Sequence, residues 1–343
     1  MGHGAGRTCR PHTAGPVRAG FESVGQRHMA HGNPLDNKLV VLIGGGGFLG
    51  RHLAEELLRR DARLRIADRH PEKAYALRPL ANLGQIQFAR CDAARPASVR
   101  AAVAGADAVV YLVGTWGPDQ QALHSDGAAA AAQAAAAQGC AAFVYISAIG
   151  ADAHADSTYA ATKGEGEARV RAGFPRATIM RPSVLFGEDD AFINLFARPI
   201  MSLPAVPVFG ARAKLQPLFV DDAARAIAEA LADPARHGGQ TFEIAGPDVL
   251  TVAELNQRIA QAQGRARALI EVPDALSALF AALPGTPMGR DQWKLLKRGS
   301  IAGGTEPGMA QLGIVPCPLG LFLERWMTRY RKHGRFGDQP EPA

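Results

Sequence analysis

Tyr159 and Lys163 stand four residues apart, a spacing that puts a phenol and an ammonium on one face of a helix. A cation beside a phenol favours the phenolate and so lowers its pKa. Such a pair suits proton exchange with a carbonyl or hydroxyl group, Tyr159 giving or taking the proton and Lys163 tuning it. Ser147, twelve residues ahead of the tyrosine, supplies a hydroxyl to orient the carbonyl. Tyr-x-x-x-Lys recurs by chance, so its weight rests on the elements around it.

Those elements begin with the apolar run 39–43, which leads directly into Gly44-Gly-Gly-Gly-Phe-Leu-Gly50 and then into a helical pattern with Leu49, Leu53 and Leu57 on one face. Without Cβ atoms the backbone turns tightly and approaches a diphosphate, whose charge is met by free N–H groups at the helix start. Glycines 44, 47 and 50 spell G-x-x-G-x-x-G, while 45, 47 and 50 spell G-x-G-x-x-G, so the spacing leaves the subtype open. The expected ligand is NAD or NADP, held by Gly44, Gly47, Phe48, Leu49 and Gly50. The second strand ends in Asp68 and Arg69, which point to different cofactors. Asp68 suits the ribose hydroxyls of NAD, whereas Arg69 suits the 2′-phosphate of NADP. Asp92 after the third strand and Val113-Gly114 after the fourth fall where the adenine and the middle of the cofactor pass, and each also reads as an ordinary turn residue. Lys163 then has a second task, on the nicotinamide ribose.

Six apolar, often β-branched runs at 39–43, 63–67, 86–89, 108–113, 143–147 and 178–181 alternate with helical patterns. This predicts an α/β fold, a Rossmann-type doubly wound parallel sheet. The alanine-rich stretch 127–137 reads as a helix whose small side chains suit close packing on a sheet. Beyond Arg181 prolines multiply, and a helix at 222–231, a strand at 241–244 and a helix at 252–263 predict a smaller, mixed, substrate-facing region. The division is a disordered tail at 1–36, rich in Gly, His, Arg and Pro; a nucleotide-binding core at 37–187; the smaller region, interleaved with the core, at 188–336; and a tail at 337–343. Met29 is the expected start of the native protein.

Bulk composition narrows the function classes. With 47% hydrophobic and 20% charged residues among 343, the chain is ordinary globular protein. No apolar stretch reaches the roughly 20 residues of a bilayer span. Cys9, Cys91, Cys140 and Cys317 show no metal-ligand spacing, so no metal is expected and reduced thiols point to the cytoplasm. A formal charge of +6 suits an anionic surface but also serves solubility, and no nucleic-acid partner is expected.

The glycine turn, Ser147-Ala-Ile-Gly150, Tyr159-Ala-Ala-Thr-Lys163, Arg181-Pro-Ser-Val-Leu-Phe-Gly187 and Phe219-Val-Asp-Asp222 together resemble the extended or atypical short-chain dehydrogenase/reductases. More narrowly, Leu77-Arg-Pro-Leu80, Leu83-Gly-Gln85, Glu188-Asp-Asp190, Phe192-Ile-Asn194 and Arg290-Asp-Gln292 resemble the nucleotide-binding accessory subunit family of respiratory complex I and its bacterial relatives. The resemblance runs from about Lys38 to Phe336. It implies bound NAD(P)H, NADPH in the mitochondrial members, a link to ubiquinone biosynthesis, and Pro182 beside Tyr159 and Lys163 among the nucleotide contacts. One departure stands out: the turn after the fourth strand lacks an asparagine and carries Trp116 and Pro118.

Two functions follow. Retention of Ser147, Tyr159 and Lys163 favours an oxidoreductase acting on a quinone precursor or another lipophilic carbonyl or hydroxyl compound. The alternative is a non-catalytic, nucleotide-holding accessory subunit or assembly module of complex I, with respiratory-complex or quinone-pathway proteins as partners. A sugar-nucleotide epimerase or dehydratase follows from fold analogy alone. At the C-terminal end, Leu319, Phe322 and Trp326 lie amid Arg325, Arg329, Arg331, Lys332 and Arg335, describing a basic helix with one apolar face. Such a helix either docks on its own domain or rests on an anionic membrane, at the cytoplasmic face of the inner membrane.

Overall fold

The computed structural model describes residues 33–283, 285–286 and 288–332. The expected tail at 337–343, nearly all of that at 1–36, the start at Met29 and Arg335 lie outside them.

From the first strand the chain runs β1 (Leu39–Ile43), α1 (Phe48–Leu58), β2 (Arg63–Asp68), β3 (Ile86–Arg90), α2 (Pro96–Val103), β4 (Ala108–Tyr111), α3 (Gly127–Ala137), β5 (Ala142–Ile146), α4 (Thr158–Gly173) and β6 (Thr178–Pro182). There follow β7 (Leu185–Phe186), α5 (Phe192–Ser202), β8 (Ala205–Phe209), β9 (Lys214–Leu215), β10 (Leu218–Phe219), α6 (Val220–Ala232), α7 (Pro234–His237) and β11 (Thr241–Ile244). The last elements are β12 (Leu250–Thr251), α8 (Val252–Ala262), β13 (Ala268–Val272), α9 (Asp274–Ala282), α10 (Arg290–Arg298) and α11 (Gly320–Met327).

Seven strands form one parallel sheet in the order β11-β6-β5-β4-β1-β2-β3. The order reverses between β1 and β4, and a doubly wound sheet opens its ligand crevice at that point, outside the carboxyl ends of the strands. Because a parallel sheet is covered on both faces, its central strands are apolar throughout rather than alternating. All five residues of β1 and all five of β5 are buried. One core layer joins Val40, Leu42 and Ile66 to Leu53 of α1 and Ile227 of α6. The opposite layer joins Val41, Ile43 and Val109 to Ala128, Ala131 and Ala135 of α3, whose methyl side chains let that helix lie close to the sheet.

The helix and strand that the sequence places in the smaller region at 222–231 and 241–244 belong to this core. α6 packs on the sheet, and β11 extends it by pairing in parallel with β6. Their apolar patterns do not say which sheet they will join. A third cluster, with Phe186, Ile193, Val206, Leu255 and Ile259, forms the smaller region's own core. The face of α11 closes that cluster: Phe322 stacks on Phe219 at 4.2 Å, and Leu323, Trp326 and Met327 are buried. Full burial stabilises each such side chain by about 1.5–3 kcal/mol. The apolar side formed by Phe322, Leu323, Trp326 and Met327 of the basic C-terminal helix is thus occupied by its own domain.

Candidate functional site

The glycine turn closes the end of β1. Gly44 has φ +83°, and a Cβ there would meet Val113 at 3.1 Å, so both conformation and proximity call for glycine. At Gly50 a Cβ would lie 2.6 Å from the Gly45 carbonyl, where helix and turn touch. Gly47 is exposed and begins α1, and among the described residues no side chain caps it. The first-turn N–H groups of this helix therefore remain open to an anion. Phe48 and Leu49, the first helical residues, are half-buried: Phe48 lies edge-on to His52 and against Gly187, and Leu49 packs on the core. An open helix start, a turn held by Gly44 and a carboxylate at the end of β2 fit a dinucleotide.

That carboxylate is Asp68. Its Oδ2 accepts the Gly46 N–H at 3.3 Å and its Oδ1 the His70 N–H at 3.0 Å, which holds the turn against β2. Beside it Arg69, His70, Arg90, Asp92 and Arg95 line a cavity of about 280 Å³. Asp92 serves its local turn, accepting the Ala94 N–H at 3.1 Å and lying 3.2 Å from Arg95. A 2′-phosphate placed in this cavity would be repelled by Asp68 and attracted by Arg69 and Arg90, so both NAD and NADP are expected to bind. Asp68→Ala is expected to shift the affinity ratio toward NADPH by roughly fivefold, matching the ~1 kcal/mol between unit charges 4 Å apart in water. Fluorescence titration of both variants with both cofactors measures it, and an unchanged ratio means that Asp68 does not face the ribose.

Lys163 occupies the crevice between the ends of β4 and β5. It is 2% exposed, and its Nζ donates to the carbonyls of Val113 at 3.1 Å and Ile146 at 2.8 Å. Burial pushes its pKa down to about 7, against the opposing pull of Glu167. Tyr159, one turn earlier, has its ring centroid 5.9 Å from Nζ, and burial pushes its phenol up to about 12. Asp291 of α10 fixes this end of α4, accepting the N–H groups of Thr158 at 2.8 Å and Tyr159 at 2.9 Å. A carboxylate there is favoured by the helix dipole. Gly114 faces the Tyr159 hydroxyl, so Gly44, Val113, Gly114, Tyr159 and Lys163 converge. Pro182 lies two strands from β4, at the end of β6, and its carbonyl accepts the Ile149 N–H at 3.1 Å.

Ser147, expected to orient a carbonyl, makes its hydrogen bond within the fold. Its side chain is buried, and its hydroxyl donates to Glu167 Oε1 at 2.5 Å. Arg181 grips the same carboxylate through Nε at 2.8 Å and Nη2 at 2.7 Å, and that hydrogen bond raises the guanidinium's pKa. A hydroxyl has one proton, and here it goes to a buried anion. The next residue, Ala148, carries no hydroxyl. Glu167 escaped the sequence reading, although Tyr159, Lys163 and Glu167 at i, i+4 and i+8 share a helix face.

Two further residues shape the tyrosine's surroundings. Trp116 stacks on Tyr159 with centroids 4.3 Å apart, which gives the unusual turn after β4 its place as a cover. His124, fully buried in the π-helical turn 121–126, stands edge-on to the same ring at 5.0 Å. Its Nε2 accepts the Thr115 N–H at 2.9 Å, so the proton sits on Nδ1 and goes to Thr162 Oγ1, also at 2.9 Å. Burial, aided by the charge of Lys163, drives its pKa down to about 3 and keeps the ring neutral. His124 thereby pins the 113–117 turn to α4. A cavity of about 570 Å³ lined by Gly150, Glu167, Arg181, Glu243 and Arg298 lies near this site, but Tyr159 and Lys163 are not among its lining residues.

Comparison with known proteins bears on the family and the fold. Residues 44–195 match the NAD(P)H-binding family model, and residues 150–283 match the RmlD substrate binding domain. NADH dehydrogenase (ubiquinone) 1 alpha subcomplex subunit 9 from Mus musculus is 30% identical over 307 residues, covering 86% of this chain and 81% of the mouse protein. A ceramide reductase from Caulobacter vibrioides is 29% identical over 261 residues, 73% of this chain and 80% of the reductase. Among solved structures, dTDP-glucose 4,6-dehydratase from Streptomyces venezuelae with NAD bound superposes with a TM-score of 0.67 at 19% identity, covering 87% of this chain and 98% of that one. At that identity the likeness shows the fold alone.

Proposed function

This chain belongs to the family of NADH dehydrogenase (ubiquinone) 1 alpha subcomplex subunit 9, an NAD(P)H-binding branch of the short-chain dehydrogenase/reductases, and on that premise we propose that it keeps NAD(P)H as a resident ligand. The nucleotide then organises a docking surface for a respiratory complex or its assembly, on the cytoplasmic face of the inner membrane. The observation that carries this reading is the Ser147 hydroxyl, bound at 2.5 Å to Glu167. With that proton given to Glu167 and Ala148 next in sequence, neither residue offers a free hydroxyl proton to orient a substrate beside Tyr159. Gly44, Gly47 and Gly50 would hold the diphosphate, and Lys163 the ribose near the nicotinamide. The chemistry such a nucleotide would supply, were the site to turn over, is hydride transfer.

A second reading, reduction of a lipophilic carbonyl, is favoured by Tyr159 and Lys163 in one crevice and by the likeness to a ceramide reductase. Here Tyr159 would deliver the proton and Trp116 would have to swing aside. The two readings part in a deletion strain complemented with Tyr159→Phe. The docking reading expects complex assembly, quinone content and lipid profile to match wild type, and nucleotide to co-purify with the variant by native mass spectrometry. A quinone or lipid defect in that strain would establish turnover instead.

A further inference from the structure

Helix α9 is built inside out. Its buried residues are Ser277 and Ala281, while Leu276 is 56% and Leu279 61% exposed, and Leu283, just past its end, is 54% exposed. At 3.6 residues per turn the three leucines share an arc of roughly 60°. The orientation is fixed from beneath, since Phe280 stacks on Phe209 at 4.7 Å and Ser277 Oγ donates to the Val272 carbonyl at 3.3 Å. A helix that buries its small side chains and offers its leucines to water presents a surface meant to be covered.

The charges around the stripe say what covers it. α10, packed beside α9, carries Arg290, Lys294, Lys297 and Arg298 against Asp291 alone. Lys297 pairs with Asp274 of α9 at 3.0 Å, whereas Lys294 and Arg298, which donate to the carbonyls of Asp156 and Gly150, keep their charge uncompensated by any carboxylate among the described residues. The Asp291 carboxylate is already spent on the N–H groups of Thr158 and Tyr159. We propose that α9 and α10 together form a docking surface for an anionic lipid bilayer, the leucines entering the headgroup boundary and the cations of α10 resting on lipid phosphates. An apolar stripe flanked by lysine and arginine is the chemistry of an interfacial helix. A second copy seated on the same face would bring the two cationic helices together, which disfavours a symmetric dimer there. The site lies on the smaller region, apart from α11, whose apolar side is buried. Through Asp291 it adjoins the Tyr159 helix, so a bilayer would lie beside the crevice whether or not the nucleotide turns over.

Flotation of the full chain with phosphatidylcholine vesicles, with and without phosphatidylglycerol, tests this. Binding should require phosphatidylglycerol, weaken in about 0.5 M salt as charges are screened, and fall at least tenfold in Leu276→Ser/Leu279→Ser. Lys294→Gln/Lys297→Gln, a surface change on the other helix, should lower it independently, and both variants should melt cooperatively. Arg325→Gln on α11 should bind as wild type does. Unchanged binding in the leucine variant, equal binding to neutral vesicles, or no binding by wild type overturns the proposal. So does a wild-type dimer that the leucine substitutions dissolve.

Discussion

Glu167→Ala is expected to destabilise the fold by about 3 kcal/mol, the lower end of what breaking one partner from a buried ion pair costs. The Glu167 side chain is 8% exposed and that of Arg181 22%, so removal leaves a guanidinium largely shielded from water without its bidentate anion. Ser147 loses its acceptor in the same step. Glu243, at 3.9 Å from Arg181 Nη1, offsets part of the loss, which is why the upper end of the range is not expected. Replacing both partners by apolar residues of similar volume, as in Glu167→Leu/Arg181→Met, should recover most of the stability, because no uncompensated charge then remains. Urea unfolding of wild type and the two variants decides. A single substitution within about 1 kcal/mol of wild type would mean that solvent already reaches the pair.

Gly47→Val is expected to fold normally and to lose nucleotide affinity by more than 100-fold, or about 2.7 kcal/mol. Gly47 has φ −75° and ψ 178°, an ordinary extended conformation, and a Cβ there would meet only the Gly44 carbonyl, at 3.3 Å. Its branch would instead fill the space in front of the helix N-terminus where a diphosphate belongs. Gly50→Ala makes the contrast: a Cβ 2.6 Å from the Gly45 carbonyl strains the protein itself, by about 1–3 kcal/mol, with or without ligand. Thermal melts with and without NADPH separate the two, since ligand at 100 times its dissociation constant adds about 2.7 kcal/mol to a binding-competent protein. A Gly47→Val protein still stabilised by NADPH would take the diphosphate away from this turn.

The sequence alone determined the six strands from β1 to β6, the glycine turn with its helix and the alanine-rich helix, but not α2 or the π-helical turn 121–126. Apolar runs with turn residues between them, the glycines at 44, 47 and 50 and the Tyr159–Lys163 spacing are local signals, because strand burial, backbone sterics and helix periodicity act within a few residues. Each of the six expected strands appears, with only their ends displaced: the fourth stops at Tyr111 and the fifth at Ile146. Tertiary structure decided what those elements meet. The direction of the Ser147 hydroxyl depends on a carboxylate twenty residues on in α4 and a guanidinium on β6. The cover on Tyr159 depends on Trp116, carried by another turn, and the fate of the α11 face on Phe219. An amphipathic pattern states that a face will be buried but not against what, so the two readings left open for α11, its own domain or an anionic surface, could not be parted before its face was seen against Phe219. In α9 the exposed face is itself apolar, and only the packing of Ser277 and Ala281 reveals which side water sees. Partner choice belongs to residues far apart in the chain, and no local pattern encodes it.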